Sequence, residues 1–184
     1  MSAHGDWHAR PPRASVPARL RPWLTDAASL TARIRARCSE LRVQVLHQST
    51  GLPLADEARA LGLPAGRRVW VREVLLLADG CPVVFGRSIL PRGHARGAWH
   101  LFHGIGARPL GAALFADPAI RRGPLLSARL DRRDKRYHLA IAAAGLQGAS
   151  APPTLWARRS LFRLRERSLM VSEVFLPAIH DLPD

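Results

Sequence analysis

Two charged side chains interrupt otherwise apolar strand patterns in this chain. Arg72 lies within the run VWVREVLLL at 69–77, and Glu173 lies within LMVSEVF at 169–175. Strand side chains alternate between two faces, so each charge falls in a row of apolar neighbours. A charge is costly to bury without an ionic or hydrogen-bonding partner. A buried arginine and a buried glutamate on one sheet therefore indicate a closed pocket for an anionic small molecule.

The pattern leaves a structural and a functional interpretation open. In the first, Arg72 forms a salt bridge with Glu173 or with Glu73, or the charges lie on an exposed face of the sheet. In the second, the two-pronged guanidinium of Arg72 binds a substrate carboxylate. Glu173 would then face a substrate hydroxyl or a proton in transfer.

The strands that carry these residues are predicted as parts of two hairpins. Residues 67–77 and 82–90 pair around a turn at 78–80, and residues 155–163 and 168–176 pair around 165–168. Gly86, inside the second of these strands, indicates a bulge or the close approach of another group. A further strand is predicted around residues 43–47.

Helical patterns lie between the strands. A first helix is expected from an N-cap at Thr25 or Asp26, with an apolar stripe that runs to Leu41. A short helix is expected at 55–61, and two more, joined by a glycine-rich turn, at 97–116 as a candidate lid. Residues 119–130 and 137–144 are interpreted as strands, although the second segment also fits a helix. Paired strands with helices gathered elsewhere predict a single α+β domain with an antiparallel sheet.

Composition limits the class of protein. We expect a flexible basic arm at residues 1–20 and one domain at 21–184. The two cysteines fit a reducing cytoplasm rather than a disulfide scaffold, and no apolar run is long enough for membrane insertion. The cysteines and histidines lack zinc-ligand spacing, so no metal site is predicted.

The net charge of +14 suggests a polyanion as partner, but the residues behind that charge argue against specific nucleic-acid binding. Only Lys135 is a lysine, and the arginines are scattered without a known nucleic-acid motif. The pair Arg158 and Arg159 is interpreted as a solvated strand edge rather than as part of a site.

Five segments in order resemble the chorismate lyase family. They are WVREVLLLADG at 70–80, GR at 86–87 with Pro91, RPLGAALF at 108–115, LWARRS at 155–160 and SEVFLP at 172–177. The resemblance covers residues 21–178. It implies an enzyme that eliminates pyruvate from chorismate to give 4-hydroxybenzoate for ubiquinone synthesis, with no cofactor or metal. It also implies a sheet of about six antiparallel strands with a ligand buried beneath helix-turn-helix flaps.

The resemblance assigns roles to four residues. Arg72 matches the family's carboxylate-binding arginine and Glu173 its active-site glutamate, and these two are the expected catalytic residues. Leu110 matches a position that contacts the ligand from a flap, and Leu30 matches a position on the first helix that also lines the site. Arg108 stands where familiar members have threonine, which is a departure from the family's pattern.

A non-catalytic function is the alternative. The same fold resembles the ligand-sensing domains of some helix-turn-helix transcription regulators, which bind a small effector. Such domains normally follow a DNA-binding domain of some 70 residues, and the arm of 20 residues is too short for one. We therefore expect a cytoplasmic enzyme, monomeric, with chorismate and 4-hydroxybenzoate as its partners.

Overall fold

The fold is a seven-stranded antiparallel sheet with helices on both faces. The computed structural model describes residues 6–11, 14–94, 99 and 101–183, without the side chains of Leu101 and His103. The strands are β1 Leu41–Gly51, β2 Val69–Ala78, β3 Cys81–Pro91, β4 Ile120–Arg122, β5 Leu126–Leu130, β6 Leu155–Leu164 and β7 Arg167–Phe175. Their order is β1-β2-β3-β7-β6-β4, and β5 also pairs with β6. The predicted α+β class is confirmed.

Six helices are described. They are α1 Arg21–Thr25, α2 Leu30–Arg35, α3 Ala55–Ala60, α4 Leu101–Gly104, α5 Leu110–Ala116 and α6 Lys135–Ala143. None of the helices in the described ranges is long and apolar enough to cross a membrane.

Tight turns fix the register of both predicted hairpins. Between β2 and β3, Asp79 and Gly80 have φ values of 48° and 84°. Two residues with positive φ make the turn that matches the twist of paired strands. Between β6 and β7, Arg165 adopts a φ of 54°. The two hairpins are joined in the middle of the sheet by the pairing of β3 with β7.

The two faces of the sheet carry separate cores. On one face, a cluster under α1 and α2 and a second cluster under α4 and α5 lie side by side. On the other face, α6 covers a cluster that includes Phe85 and Val174. Odd and even positions of each strand therefore meet different helices, as strand alternation requires.

The first helix differs from the prediction. A single helix from Thr25 or Asp26 through Leu41 is wrong, because α1 ends at Thr25 and α2 runs only from Leu30 to Arg35. Ser29 is the N-cap of α2, and its hydroxyl accepts a hydrogen bond from the backbone amide of Ala32. The predicted stripe ran too far because its last residue, Leu41, is the first residue of β1.

The structure also shows which secondary structure the segments at 119–130 and 137–144 adopt. Residues 119–130 form two strands, β4 and β5, rather than one. The segment at 137–144 is helical: Asp134 caps α6 through the amide of Arg136, and the helix ends before Gly145, where φ is 67°.

The N-terminal segment contacts the folded domain. His8 pairs with Ser127 beside β5, and Val16 and Leu20 are buried in the core under α1. Residues 1–5 and 12–13 of the predicted arm lie outside the described residues, as do residues 97, 98 and 100 of the predicted lid. The domain boundary at residue 21 remains a prediction.

Candidate functional site

A cavity lies between the two clusters on one face of the sheet. Strands β2, β3, β6 and β7 form its floor, and α2 and α5 form its roof. All four residues expected at the site, Arg72, Glu173, Leu30 and Leu110, line this cavity. They come from four different elements, so only the fold brings them together.

Arg72 is a buried cation whose hydrogen-bond partners are neutral. Its guanidinium donates to Gln48 Oε1 at 2.7 Å and makes a longer contact of 3.4 Å with the carbonyl oxygen of Arg108. Only 2% of the residue is exposed. Burial lowers the pKa of Arg72 below its ordinary value. Neither of the salt bridges considered from the sequence, to Glu173 or to Glu73, is formed.

The contact from Arg108 is made by its backbone. It therefore does not depend on the residue type at a position where familiar relatives have threonine. The side chain of Arg108 instead donates to the carbonyl oxygens of Gly104 and Ile105 at the end of α4. The bond to Gly104 serves the carbonyl of the last residue of α4, which has no acceptor role within the helix.

Glu173 is paired with Arg158, its cross-strand neighbour on β6. The Nε of Arg158 lies 2.5 Å from Oε2 of Glu173, and its Nη1 donates to the carbonyl oxygens of Trp23 and Asp26 at 2.8 Å each. The interpretation of Arg158 and Arg159 as a solvated edge is wrong. Arg158 is 2% exposed, and β6 lies inside the sheet with partners on both sides.

Arg159 points to the opposite face. There its Nη1 lies 2.7 Å from Oδ2 of Asp56, which also binds Arg136. Neighbouring positions on one strand thus contribute one arginine to the cavity and one to a separate ion network, because their side chains alternate.

A third arginine, Arg122, lines the cavity from the short strand β4. Its Nε donates to Ser160 Oγ at 2.9 Å and its Nη1 to the carbonyl oxygen of Ala27 at 2.6 Å. The guanidinium lies 5.6 Å and 5.4 Å from the ring centroids of Phe115 and Phe162. Burial, followed by the positive charge of Arg158, lowers the pKa of Arg122.

Arg87 shows how this fold normally neutralises a buried arginine. On the face opposite the cavity, Arg87 forms ion pairs with Glu57 and Glu73. Burial alone would lower its pKa, but these carboxylates outweigh burial and hold the pKa above its ordinary value. Among the described residues, Arg72 and Arg122 form no ion pair with a carboxylate, although Glu173 and Asp26 act on the charge of Arg122 at longer range.

Close backbone contacts shape the floor and the roof of the cavity. On the floor, a Cβ at Gly86 would lie 3.0 Å from Cγ2 of Val74, so the close approach predicted at Gly86 is observed. In the roof, a Cβ at Gly111 would lie 3.3 Å from Oγ1 of Thr31. A glycine at 111 therefore lets α5 approach the start of α2.

Sequence reasoning missed three polar residues at the site. Gln48 carries no signal of its own, but in the register it lies opposite Arg72. Arg158 could have been found from its position opposite Glu173 in the predicted hairpin. Arg122 is the last residue of a three-residue strand, which is too short to show a period.

Solved structures share this fold. The chain is similar to PhnF from Mycobacterium smegmatis, with a TM-score of 0.60, 18% identity and coverage of 83% of this chain and 65% of that one. It is also similar to the ligand-binding domain of a GntR-family transcriptional regulator from Bordetella bronchiseptica, with a TM-score of 0.53, 17% identity and coverage of 76% and 85%. At these identities the two similarities show a shared fold.

Sequence relatives are more specific. The family model described as chorismate lyase matches residues 3–182. A protein of Aromatoleum aromaticum named probable chorismate pyruvate-lyase is 66% identical over 177 residues, covering 96% of this chain and 95% of that protein. A protein of the same name from Azoarcus sp. is 63% identical, covering 97% and 94%. The chain belongs to the chorismate lyase family, as its motifs predicted.

Proposed function

We propose that this protein is a chorismate pyruvate-lyase, which converts chorismate into 4-hydroxybenzoate and pyruvate at this cavity and so supplies ubiquinone synthesis. One observation carries the proposal beyond family membership: Arg72 is buried at the cavity without a carboxylate partner among the described residues. An uncompensated buried guanidinium is a binding site for a carboxylate.

The charges at the cavity match this substrate. The described lining contains three guanidiniums, from Arg72, Arg122 and Arg158, and one carboxylate, from Glu173. The excess of two positive charges equals the two carboxylates of chorismate. The rest of the lining is mainly apolar and suits a six-membered ring.

The reaction is an elimination in which the two products together contain every atom of the substrate. The ether bond between the ring and the enolpyruvyl group breaks. The ring carbon that carries the hydroxyl loses its hydrogen as a proton, and the methylene carbon of the side chain gains a proton to become the methyl group of pyruvate. No oxidant, reductant or water is consumed, so the reaction needs no cofactor. Aromatisation of the ring supplies the driving force, and the protein has to orient the substrate and stabilise developing charge.

Arg72 anchors the substrate in this mechanism. Its fork donates hydrogen bonds to the ring carboxylate, which becomes the carboxylate of the product. Gln48 and the Arg108 carbonyl hold the guanidinium in place from two sides. The product keeps this contact after pyruvate leaves, so we expect tight product binding and slow release.

Glu173 supplies the carboxylate of the described cavity lining, and we assign it the contact with the ring hydroxyl. Arg158 occupies Oε2 of Glu173 through Nε, which leaves Oε1 for the substrate. We propose that Glu173 hydrogen-bonds the oxygen that becomes the product phenol and assists proton transfer from the adjacent ring carbon. Arg158 acts as a positioning residue because it fixes the orientation of the carboxylate.

Leu30 and Leu110 close the cavity from α2 and α5. Both are buried, at 3% and 9% exposure. Apolar side chains over the reacting groups exclude water and strengthen the electrostatic contacts beneath them. These two residues therefore bind the ring rather than its charges.

The proposal is tested by incubating the purified chain with chorismate and measuring 4-hydroxybenzoate and pyruvate. Equimolar formation of both is the expected result. In Arg72→Ala, the affinity for 4-hydroxybenzoate should fall by roughly thirtyfold or more, since one partner of a buried charge pair is lost. Arg42→Ala is the matched control, because Arg42 is exposed on β1. Unchanged product affinity in Arg72→Ala would remove Arg72 from the site.

A binding function without catalysis is the second candidate. The similarity to regulator domains favours it, since their fold is shared over three quarters of this chain. Binding of 4-hydroxybenzoate by calorimetry without turnover of chorismate would support this candidate and overturn the lyase proposal.

A further inference from the structure

The role of Arg72 leaves the second carboxylate of chorismate without an assigned partner. After elimination this carboxylate departs with pyruvate, so a group that binds it contacts the substrate but not the retained product. Two of the three guanidinium nitrogens of Arg158 already have hydrogen-bond partners: Nε binds Glu173, and Nη1 binds two carbonyl oxygens.

Arg122 lies on the opposite side of the cavity from Arg72. Arg72 is on β2 and Arg122 on β4, four strand positions apart, and β7 with Glu173 lies between them. That separation is about 19 Å between strand axes. Both long side chains reach the same cavity, so a ligand between them has one cation at each end and the carboxylate of Glu173 along its length.

The surroundings of Arg122 hold its guanidinium but do not neutralise it. Ser160 Oγ and the Ala27 carbonyl fix two of its nitrogens, and the rings of Phe115 and Phe162 flank it. Among the described residues, no carboxylate lies within salt-bridge distance of Arg122. A guanidinium that is held in place, flanked by aromatic rings and without an ion-pair partner is arranged to bind an incoming anion.

We propose that Arg122 binds the carboxylate of the enolpyruvyl side chain. This inference rests on the proposed lyase function and extends it. Arg72 and Arg122 then bind different parts of the substrate. Arg72 binds the part that becomes 4-hydroxybenzoate, and Arg122 binds the part that leaves as pyruvate. Arg122 is thereby a residue that distinguishes substrate from product.

The test compares substrate kinetics with product affinity in Arg122→Gln. Arg122 is half-buried, and bound substrate would cover its charge further. We expect kcat/KM for chorismate to fall by roughly a hundredfold, since the charge pair with the substrate carboxylate is lost. The Kd for 4-hydroxybenzoate should change less than about threefold, a small factor beside a lost ion pair. Arg121→Gln is the control, because Arg121 is the adjacent, exposed arginine on β4 and is absent from the cavity lining.

A purely structural role for Arg122 would give a different result. If Arg122 only holds Ala27 and Ser160 in place, substrate and product binding should weaken together, and that outcome overturns the inference. Kinetics equal to those of Arg121→Gln also overturn it. If Arg122→Gln does not fold, Arg122→Lys is measured instead: it keeps the charge, and a raised KM for chorismate with wild-type product affinity is the expected outcome.

Failure of this inference is separable from failure of the proposed function. Wild-type protein that does not convert chorismate contradicts the lyase proposal itself. Wild-type protein that converts chorismate, with an Arg122→Gln variant that does so equally well, contradicts only the role of Arg122.

Discussion

Arg158 and Glu173 face each other across β6 and β7, with Nε of Arg158 2.5 Å from Oε2 of Glu173. The same guanidinium donates to the carbonyl oxygens of Trp23 and Asp26, at the end of α1. One side chain therefore fixes the carboxylate on the floor of the cavity and also holds the segment between α1 and α2 over it. The geometry of Glu173 and the position of this segment are coupled through Arg158.

Loss of Arg158 should destabilise the fold. Arg158→Met keeps much of the side-chain volume but leaves Glu173 and two carbonyl oxygens without their donor. We expect the free energy of unfolding to fall by about 3 kcal/mol, the scale for a broken buried ion pair, as measured by urea denaturation. Arg42→Met is the control, because its pair with Glu40 is exposed at 4.0 Å and should contribute less than about 1 kcal/mol. Equal stability of the two variants would contradict this role.

Glu173→Gln tests the proton-transfer role. Glutamine keeps the size of the side chain and can still accept from Arg158, so the fold and product binding should change little. We expect kcat to fall by about 10² to 10⁴, the usual contribution of a general base. Glu166→Gln, in the exposed turn between β6 and β7, should retain full activity. Full turnover by Glu173→Gln would show that Glu173 transfers no proton.

The strand patterns predicted the floor of the site well. Arg72 and Glu173 were identified because a charge in an apolar strand needs a special environment, and alternation placed each of them in a row of apolar neighbours. The turn at Asp79 and Gly80 was predicted because its residue types tolerate positive φ. These features depend on neighbours that are close in sequence or paired by a short turn.

The roof and the remaining arginines were not predictable in the same way. Arg87, Arg122 and Arg158 look alike in sequence, and their roles depend on which helices cover each face. The end of α2 was missed because an apolar stripe runs on from helix to strand without a break. For α6, the N-cap at Asp134 and the glycine at 145 were signals that could have decided for a helix.

Gly86→Ala should weaken both the fold and ligand binding. Its Cβ would lie 3.0 Å from Cγ2 of Val74, and both residues line the floor of the cavity. Overpacking of this kind costs on the order of 1–3 kcal/mol. We expect the Kd for 4-hydroxybenzoate to rise by roughly tenfold, measured by calorimetry.

Gly93→Ala provides the matched control for Gly86→Ala. A Cβ at Gly93 meets nothing within 4 Å, and Gly93 does not line the cavity. Product affinity in this variant should equal that of the wild type. An unchanged Kd in Gly86→Ala would mean that the ligand does not lie against this part of the floor.

Acid should destabilise the ion network on the other face of the sheet. Burial by itself raises the pKa of Asp56, but the guanidiniums of Arg136 and Arg159 outweigh burial and hold the pKa below its ordinary value. The unfolded chain has an ordinary pKa near 4. The stabilisation from ionised Asp56 is therefore complete above that pH and is lost as pH falls through the lower pKa of the folded state.

The contribution of Asp56 can be isolated by urea denaturation between pH 6 and pH 2.5. Asp56→Asn should be less stable than wild type at pH 6, because two buried arginines lose their shared carboxylate. Its stability should also fall less steeply below about pH 4, since one group contributes at most about 1.4 kcal/mol per pH unit. Asp181→Asn, at an exposed position, should keep the wild-type slope. If Asp56→Asn also keeps that slope, Asp56 takes up no extra proton on unfolding, and its pairing with the two arginines does not depress its pKa.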